Sequence, residues 1–339
     1  MPVLSNVLLS ASNDEHLIIT GTDLEVELVA ASQVALEQTG AVTLPARKLL
    51  EIIRALPEKT TVTLATEGER VTLRAGRSRF TLSSLPAADF PLVEEIKSQQ
   101  TVALDQGEFR KLIEKTQFSM AQQDVRYYLN GLLLETDGQA LRGVATDGHR
   151  LALYETELNV KQKTSHQVIL PRKGVLELQK ILATDGTIEL TIGTNHVRCQ
   201  VGDIRFTSKL IDGRFPDYQR IIPAPAHKIE ADREALRHAL LRAAILSNEK
   251  FRGIRLTVRP DLLIIQAHNP EQEEAEEQLD IAYQGEELQI GFNVNYLLDV
   301  LSAVDGDTVE IALTDGNSAC LITAPGTSQA KYVVMPIRL

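Results

Sequence analysis

Tryptophan is absent from the chain, and phenylalanine and tyrosine together supply only 4% of it. A single-strand platform of stacked aromatic side chains is therefore a poor reading, because each base needs a π-face beneath it. Cysteine is nearly as scarce: Cys199 and Cys320 stand far apart in strand-like segments. Two scattered thiols make neither a disulfide framework nor a cysteine-ligated zinc site, and they fit buried, reduced thiols of a cytosol. No apolar run approaches the roughly 18–20 residues of a membrane span. The opening MPVLSNVLLS lacks a basic stretch and a small-residue cleavage site, which argues against a secretory leader. Positive charge is in deficit, 35 Lys and Arg against 46 Asp and Glu, for a net charge of −11. That excludes a uniformly basic nucleic-acid binder, though not DNA, since the field depends on where the charges sit. Phosphate-loop, HExxH and GxSxG motifs are missing too.

What is present is a repeat. Val42-Thr43-Leu44-Pro45-Ala46-Arg47-Lys48 aligns with Val168-Ile169-Leu170-Pro171-Arg172-Lys173, and Phe90-Pro91 with Phe215-Pro216. Thr22-Asp23 aligns with Thr146-Asp147, and Asn6-Val7-Leu8-Leu9 with Asn130-Gly131-Leu132-Leu133. A fainter third copy runs through Gly253–Val258 and Ile290–Leu298. At 339 residues the chain has room for three such units. Polar Lys97–Gln100 and proline-rich Pro223–His227 suit linkers, giving domains at 1–98, 100–225 and 227–339.

Each unit reads as mostly β. Thr61–Leu64, Val71–Arg74 and Arg79–Leu82 alternate apolar and polar residues, and the triplet recurs at Thr187–Ile192, His196–Val201 and Ile204–Ser208. The few helices are amphipathic: Leu49, Ile53 and Leu56 share a face, as do Val175, Leu178 and Leu182, and Leu236, Leu240 and Ala243. The fold class is α+β, three tandem copies of one domain of antiparallel sheet with helices against it. The helical windows taken together are net basic, so the remainder is more acidic than the whole. Mixed charge is ordinary on a solvated helix, but segregation over several helices points to a polyanion on the helical side, held without base readout.

Several blocks now stand in one order: Gln123-Asp124-Val125-Arg126-Tyr127-Tyr128-Leu129-Asn130-Gly131, Ala145-Thr146-Asp147-Gly148-His149-Arg150-Leu151, Asp212–Tyr218, Ile245–Gly253 and Tyr332–Leu339. With them the chain resembles, over essentially its whole length, the beta subunit of bacterial DNA polymerase III, the sliding clamp. The resemblance implies a DNA clamp ring: a head-to-tail homodimer with sheets outside and amphipathic helices facing encircled duplex DNA. It implies no catalysis, no cofactor and no metal. It implies a cytoplasmic protein that tethers polymerases, clamp loader and repair proteins through short apolar peptide motifs.

By that resemblance a partner-peptide groove comprises Arg126, Leu129, Thr146, Gly148, His149, Arg150, Leu151, Pro216, Arg220 and Ile221. The C-terminal Val333, Val334, Met335, Pro336, Ile337 and Arg338 complete it, with Asn293 and Tyr296 nearby. The apolar members suit Leu or Phe anchors, Met335 adapts to varied side chains, and Arg126 and Arg150 are expected to donate to the peptide. Arg47, Lys48, Gln123, Tyr127, Tyr128, Arg172 and Lys173 are expected to face DNA. Phe80, Leu82, Ile245 and Leu246 are expected at the dimer interface, with core packing as the alternative. Asp147 and His149 invite an acid–base reading, but no nucleophile or metal cluster adjoins them, and Asp-Gly is a plain turn signal. The acidic run Glu271–Glu277 reads as a solvated loop, and His196, His227 and His238 lack ligand spacing. Rival readings are an enzyme acting on nucleic acid and a non-encircling peptide-binding scaffold.

The first copy is incomplete. The second opens with a strand and helix over Val102–Gln123 and the third over Ile229–Lys250, but the first starts at Val3-Leu4-Ser5-Asn6, the counterpart of Tyr128–Asn130. Judged from the other copies, roughly 25 residues are missing. The expectation is apolar surface left exposed on the sheet of the first unit, through either a start site placed too late or a short clamp form with altered ring closure serving repair.

Overall fold

The computed structural model describes residues 1–12, 15–93, 97–158, 165–224 and 227–338. The first copy contributes β1 (Asn6–Ala11), β2 (His16–Thr22), β3 (Val26–Gln33), β4 (Gly40–Pro45), α1 (Ala46–Ala55), β5 (Val62–Glu67), β6 (Arg70–Ala75) and β7 (Ser78–Ser83). The second contributes β8 (Ser98–Asp105), α2 (Gln106–Thr116), β9 (Gly131–Thr136), β10 (Ala140–Thr146), β11 (Arg150–Glu157), β12 (His166–Pro171), α3 (Arg172–Ile181), β13 (Thr187–Gly193), β14 (His196–Val201) and β15 (Ile204–Lys209). The third contributes β16 (His227–Asp232), α4 (Arg233–Ala244), β17 (Gly253–Arg259), β18 (Leu262–His268), β19 (Glu274–Asp280), β20 (Leu288–Asn293), α5 (Val294–Ala303), β21 (Thr308–Leu313), β22 (Cys320–Thr323) and β23 (Ala330–Val334). The repeat is thus visible as structure: β4, β12 and β20 each run directly into a helix, and a strand triplet follows each time.

Pairing does not respect the repeat boundaries. One eight-stranded sheet has the order β4-β1-β2-β3-β15-β14-β13-β8, and another β12-β9-β10-β11-β23-β22-β21-β16. Strand β3 of the first copy bonds β15 of the second, Leu28 opposite Phe206, and β11 of the second bonds β23 of the third, Leu151 opposite Val333. By contacts the chain divides into two compact units, Met1–Leu104 with Lys180–Leu210, and Asp105–Gln179 with Ile211–Leu339. In the first unit the remaining sheet is β5-β6-β7; in the second it is β19-β18-β17-β20.

Helix starts follow local chemistry. Asp105 and Asp232 cap α2 and α4 by accepting from the Glu108 and Ala235 amides at 3.0 and 2.7 Å. Asn293 caps α5 through Asn295, whereas α1 follows Pro45 with no side-chain cap. Val175, Leu178 and Leu182, and likewise Leu236, Leu240 and Ala243, are buried as the helical spacing requires. The stripe on α1 differs: no residue of that helix is buried. Leu49 and Ile52 lean on Leu9, Leu44, Val71 and Leu82, while Leu50 and Ile53 are 48% and 43% exposed. The exposed apolar side chains Leu50 and Ile53 thus belong to the helix, whereas Leu8 and Leu9 of the sheet, where the sequence predicts exposure, are buried.

Two expected loops are strands. Ser98–Gln100 opens β8, with Gln100 buried, so that stretch is a strand and not an irregular loop; of Pro223–His227, residues Pro225 and Ala226 lie outside the described residues and His227 begins β16. The Glu271–Glu277 run enters β19, whose residues alternate between exposed and half-buried, and Glu277 is bidentate to Arg242 at 2.8 and 2.6 Å. Among the described residues no cluster could hold a metal, and no helix is long and apolar enough to cross a membrane.

Candidate functional site

Where β11 leaves its turn, the chain brings the central and C-terminal repeats together. Thr146-Asp147-Gly148-His149 is the β10–β11 hairpin turn. Asp147 Oδ1 accepts from the amides of His149 and Arg150 at 2.9 and 3.0 Å, and Thr146 Oγ1 donates to the Arg150 carbonyl at 2.6 Å. The same bonds recur at Thr22-Asp23-Leu24-Glu25, where Asp23 Oδ1 accepts from Glu25 and Val26 at 3.0 and 2.8 Å and Thr22 Oγ1 donates to the Val26 carbonyl. Asp147 is therefore a turn-former, which accounts for it without an acid–base role. Gly148 has φ +88°, and a Cβ there would stand 3.0 Å from an Arg126 guanidinium nitrogen, so a glycine lets that side chain lie across the turn.

The C-terminal segment completes the wall. After β23 pairs with β11, the Met335 amide donates to the His149 carbonyl and the Ile337 amide to the Gly291 carbonyl, each at 2.8 Å. Leu129, Leu151 and Val333 pack with Phe215 and Tyr218 as one buried cluster, and Val334 is buried as well. Leu129, Leu151 and Val333 form the floor of the groove and not its lining, whereas Val334 faces the opposite side of the sheet, in the core with Tyr332 and Ala152. Met335 and Ile221 are the open apolar members, 38% and 36% exposed, with Pro216 and Pro336 half-buried. Tyr218, which anchors the Pro216–Ile221 segment, donates to buried Glu135; burial first, then that carboxylate, pushes its hydroxyl up to about 12.

The cations of this region are engaged within the chain. Arg126 is bidentate to Asp124 at 3.1 and 2.9 Å, and those hydrogen bonds hold the Asp124 carboxyl down to about 2. Arg150, only 12% exposed, bonds Asp147 at 3.1 Å, Asp299 of α5, and the Phe118 carbonyl at 2.8 Å. Its guanidinium also lies 4.7 Å from the Tyr296 ring centre and 5.4 Å from that of Phe118. Arg220 pairs with Asp217 at 2.8 Å. The donors expected to reach a peptide are thus engaged within the chain: Arg150 is a pin, not a free hook.

Beyond Arg150 lies a cavity of about 420 Å³ that the sequence reading did not foresee as a whole. His149, Asn293, Tyr296, Ile337 and Arg338 line it, as expected of groove residues, but so do Asn248, Lys250, Phe251, Gly253 and His268. His149 stacks on Tyr296 at 6.2 Å and 19°. The missed signal was the block Asn248–Gly253, whose Asn248 carboxamide caps its own turn by accepting from the Lys250 and Phe251 amides.

Of the residues expected to face DNA, Arg47 is exposed and paired with Glu51, while Lys48, Gln123 and Lys173 are exposed. Tyr127 is 57% exposed and edge-on to half-buried Tyr128. Arg172 is half-buried, its Nη1 without a hydrogen-bond partner among the described residues. Of the expected interface residues Ile245 is 75% exposed and Leu246 and Phe80 are half-buried, but Leu82 is core, packed on Leu9, Leu44 and Val71.

Three family models cover nearly the whole chain: the DNA polymerase III beta subunit N-terminal domain at 1–94, central domain at 103–217 and C-terminal domain at 219–338. The chain is 53% identical to the beta sliding clamp of Escherichia coli K12 and 52% identical to that of Pseudomonas putida KT2440, covering all of this chain and 93% of each relative. A crystal structure of DNA polymerase III subunit beta from Pseudomonas aeruginosa superposes with a TM-score of 0.98 at 50% identity, over all of this chain and 94% of that one. A sliding clamp of P. aeruginosa bound to griselimycin superposes with 0.96 at 50% identity, covering 92% of that chain. Repeat, shared sheets and sequence agree, and the chain belongs to the beta sliding clamp family of bacterial DNA polymerase III.

Proposed function

We propose that this chain works in the cytoplasm as a non-catalytic ring around duplex DNA, and that the groove at the β10–β11 turn captures the short apolar motifs of polymerases, clamp loader and repair proteins. The observation that carries the groove is the C-terminal segment hydrogen-bonded to the His149 turn, which leaves Met335 and Ile221 open over a buried apolar floor. Processivity then follows from effective concentration: a polymerase that lets go of the primer end stays tethered beside it.

Ring closure has a strand-level rationale. Two joints within the chain are made by antiparallel pairing of repeats, β3 with β15 and β11 with β23. By the same logic β19 and β7 are the matching edges left over, since among the described residues each bonds only one neighbour. Unpaired edges invite a second chain. Strand β19 carries Glu274, Glu276, Glu277 and Asp280, and the β6–β7 hairpin carries Arg74, Arg77 and Arg79, so a head-to-tail pair joins opposite charges. Phe80 on β7 and exposed Ile245 at the end of α4 flank those edges.

Retention on circular plasmid DNA, lost when the plasmid is linearised, tests encirclement; binding indifferent to topology would refute it. The DNA-facing set is tested by Arg172→Ala with Lys173→Ala, which should lower the salt slope of DNA residence and leave peptide affinity unchanged.

A further inference from the structure

Two of the three repeats cover the same strand edge in the same way. In the third, β16 pairs with β21, Ile229 opposite Ile311 and Ala231 opposite Val309, and α4 packs on α5. There Val309, Ile311 and Leu313 of the strand and Leu297, Val300 and Leu301 of the helix are all buried. In the second, β8 lies beside β13, whose Ile188, Leu190 and Ile192 are buried too. The first repeat has the same strand and helix in β5 and α1: Thr61-Val62-Thr63-Leu64 aligns with Thr308-Val309-Glu310-Ile311, and Leu49–Ile53 with Leu297–Leu301. Among the described residues β5 bonds β6 alone, and its outer edge is open. Val62 and Leu64 are half-buried, and Ile53 is 43% exposed where its counterpart Leu301 is 1% exposed. The edge is also unguarded, since Val62–Thr66 holds neither a charge nor a proline to keep another strand away.

We propose that the β5 edge and the apolar stripe of α1 together seat a strand–helix segment of a separate polypeptide. The two segments that fill this place elsewhere in the chain define its chemistry. Each has apolar residues three and one before an aspartate: Val102 and Leu104 before Asp105, Ile229 and Ala231 before Asp232. Each aspartate caps a helix with buried apolar residues four, seven and eight places later, which are Phe109, Leu112 and Ile113 in α2 and Leu236, Ala239 and Leu240 in α4. Carried over in the register of β16 on β21, the two apolar strand positions come opposite Leu64 and Val62, antiparallel. Arg233 of α4 donates to the Leu301 carbonyl at 3.1 Å, so the incoming helix begins beside Ile53 of α1. Strand addition supplies backbone bonds, and the apolar spacing supplies selectivity. Ordering a free segment offsets part of that gain, which keeps the complex weaker than its built-in counterparts.

The test uses the full chain and two fluorescent peptides with the sequences of residues 98–116 and 227–244, each beside a scrambled version. In anisotropy titrations at least one peptide is expected to saturate with a Kd below about 100 μM, its scrambled form binding about ten-fold more weakly or worse. Hydrogen exchange of the complex should slow in Val62–Glu67 and leave β13 and β21 unchanged. Leu50→Lys with Ile53→Lys, both at exposed positions, should weaken binding about ten-fold or more. A circular-dichroism melt coincident with the parent's shows that loss to be local; should the variant melt lower, the exchange map of the parent protein decides. No saturable binding by either peptide, protection that misses β5, or binding indifferent to the double substitution overturns the proposal. So does a dimer that the two substitutions split, since a second copy would then hold this face.

Discussion

Arg150→Met is the substitution through which the site's internal wiring can be weighed. Methionine keeps much of the stem and its packing between Phe118 and Tyr296 but removes the guanidinium. Asp147 keeps its two backbone amide donors, and Asp299, 47% exposed, is rehydrated. Neither loss is large. The Phe118 carbonyl is left without its donor, costing about 1 kcal/mol, and the stacking of the cation on two rings is worth about 1–2 kcal/mol more in this desolvated setting. The expected destabilisation is about 2–3 kcal/mol, below the full cost of breaking a buried ion pair because one carboxylate faces water. Urea denaturation followed by circular dichroism is the assay, the chain having no tryptophan to report by fluorescence. Asp299→Asn should cost less than about 1 kcal/mol, and Arg150→Lys should not restore stability, since an ammonium cannot serve three acceptors in the guanidinium plane. A cost for Arg150→Met below about 1 kcal/mol, or an equal cost for Asp299→Asn, would refute the pin.

Removing Met335–Leu339 deletes the backbone bonds to His149 and Gly291 and one wall of the groove, and should weaken apolar peptides by about 2–4 kcal/mol in anisotropy titrations while DNA retention persists; equal loss of both would end the division of labour. Gly143→Ala on β10 would place a Cβ 2.3 Å from Leu112 Cδ2 of α2, and thermal melts should show a loss of about 1–3 kcal/mol, partly relieved by Leu112→Val. Burial pushes both thiols up to about 12, so Cys199 and Cys320 should resist a thiol reagent at neutral pH and react only after unfolding; rapid labelling of the native protein would contradict their placement.

Local periodicity carried most of the fold. The strand-into-helix junctions at Pro45, Pro171 and Asn293 and the triplets after them are written in alternation and turn residues, so they were legible. What the sequence conceals is non-local. Nothing in Val26–Gln33 announces that its partner is Ile204–Lys209, and nothing in EQEEAEE announces a strand, because the bonding edge of β18 and the Arg242 side chain supply the reason. Several expected site residues lie beside the turn, but the sequence does not show that Arg126 and Arg150 already hold carboxylates within the chain. Whether Arg126 and Arg150 are free depends on Asp124 and Asp299, one close in sequence and one far. Leu82 reads as interface or core with equal ease until Leu9, Leu44 and Val71 are seen around it.

The sheets that cross repeat boundaries have a consequence for how the chain can be dissected. A fragment ending near residue 98 would keep every strand of the first copy, yet it would strip β15 from β3 and lay bare the Val26–Gln33 backbone, a template for amyloid-like self-pairing. A cut near residue 225 would do the same to β11. The sequence period is therefore a unit of ancestry and not of excision, and hydrogen exchange in β3 should track that of β15, its paired residues 174 to 182 positions downstream by chain and one hydrogen bond away in space.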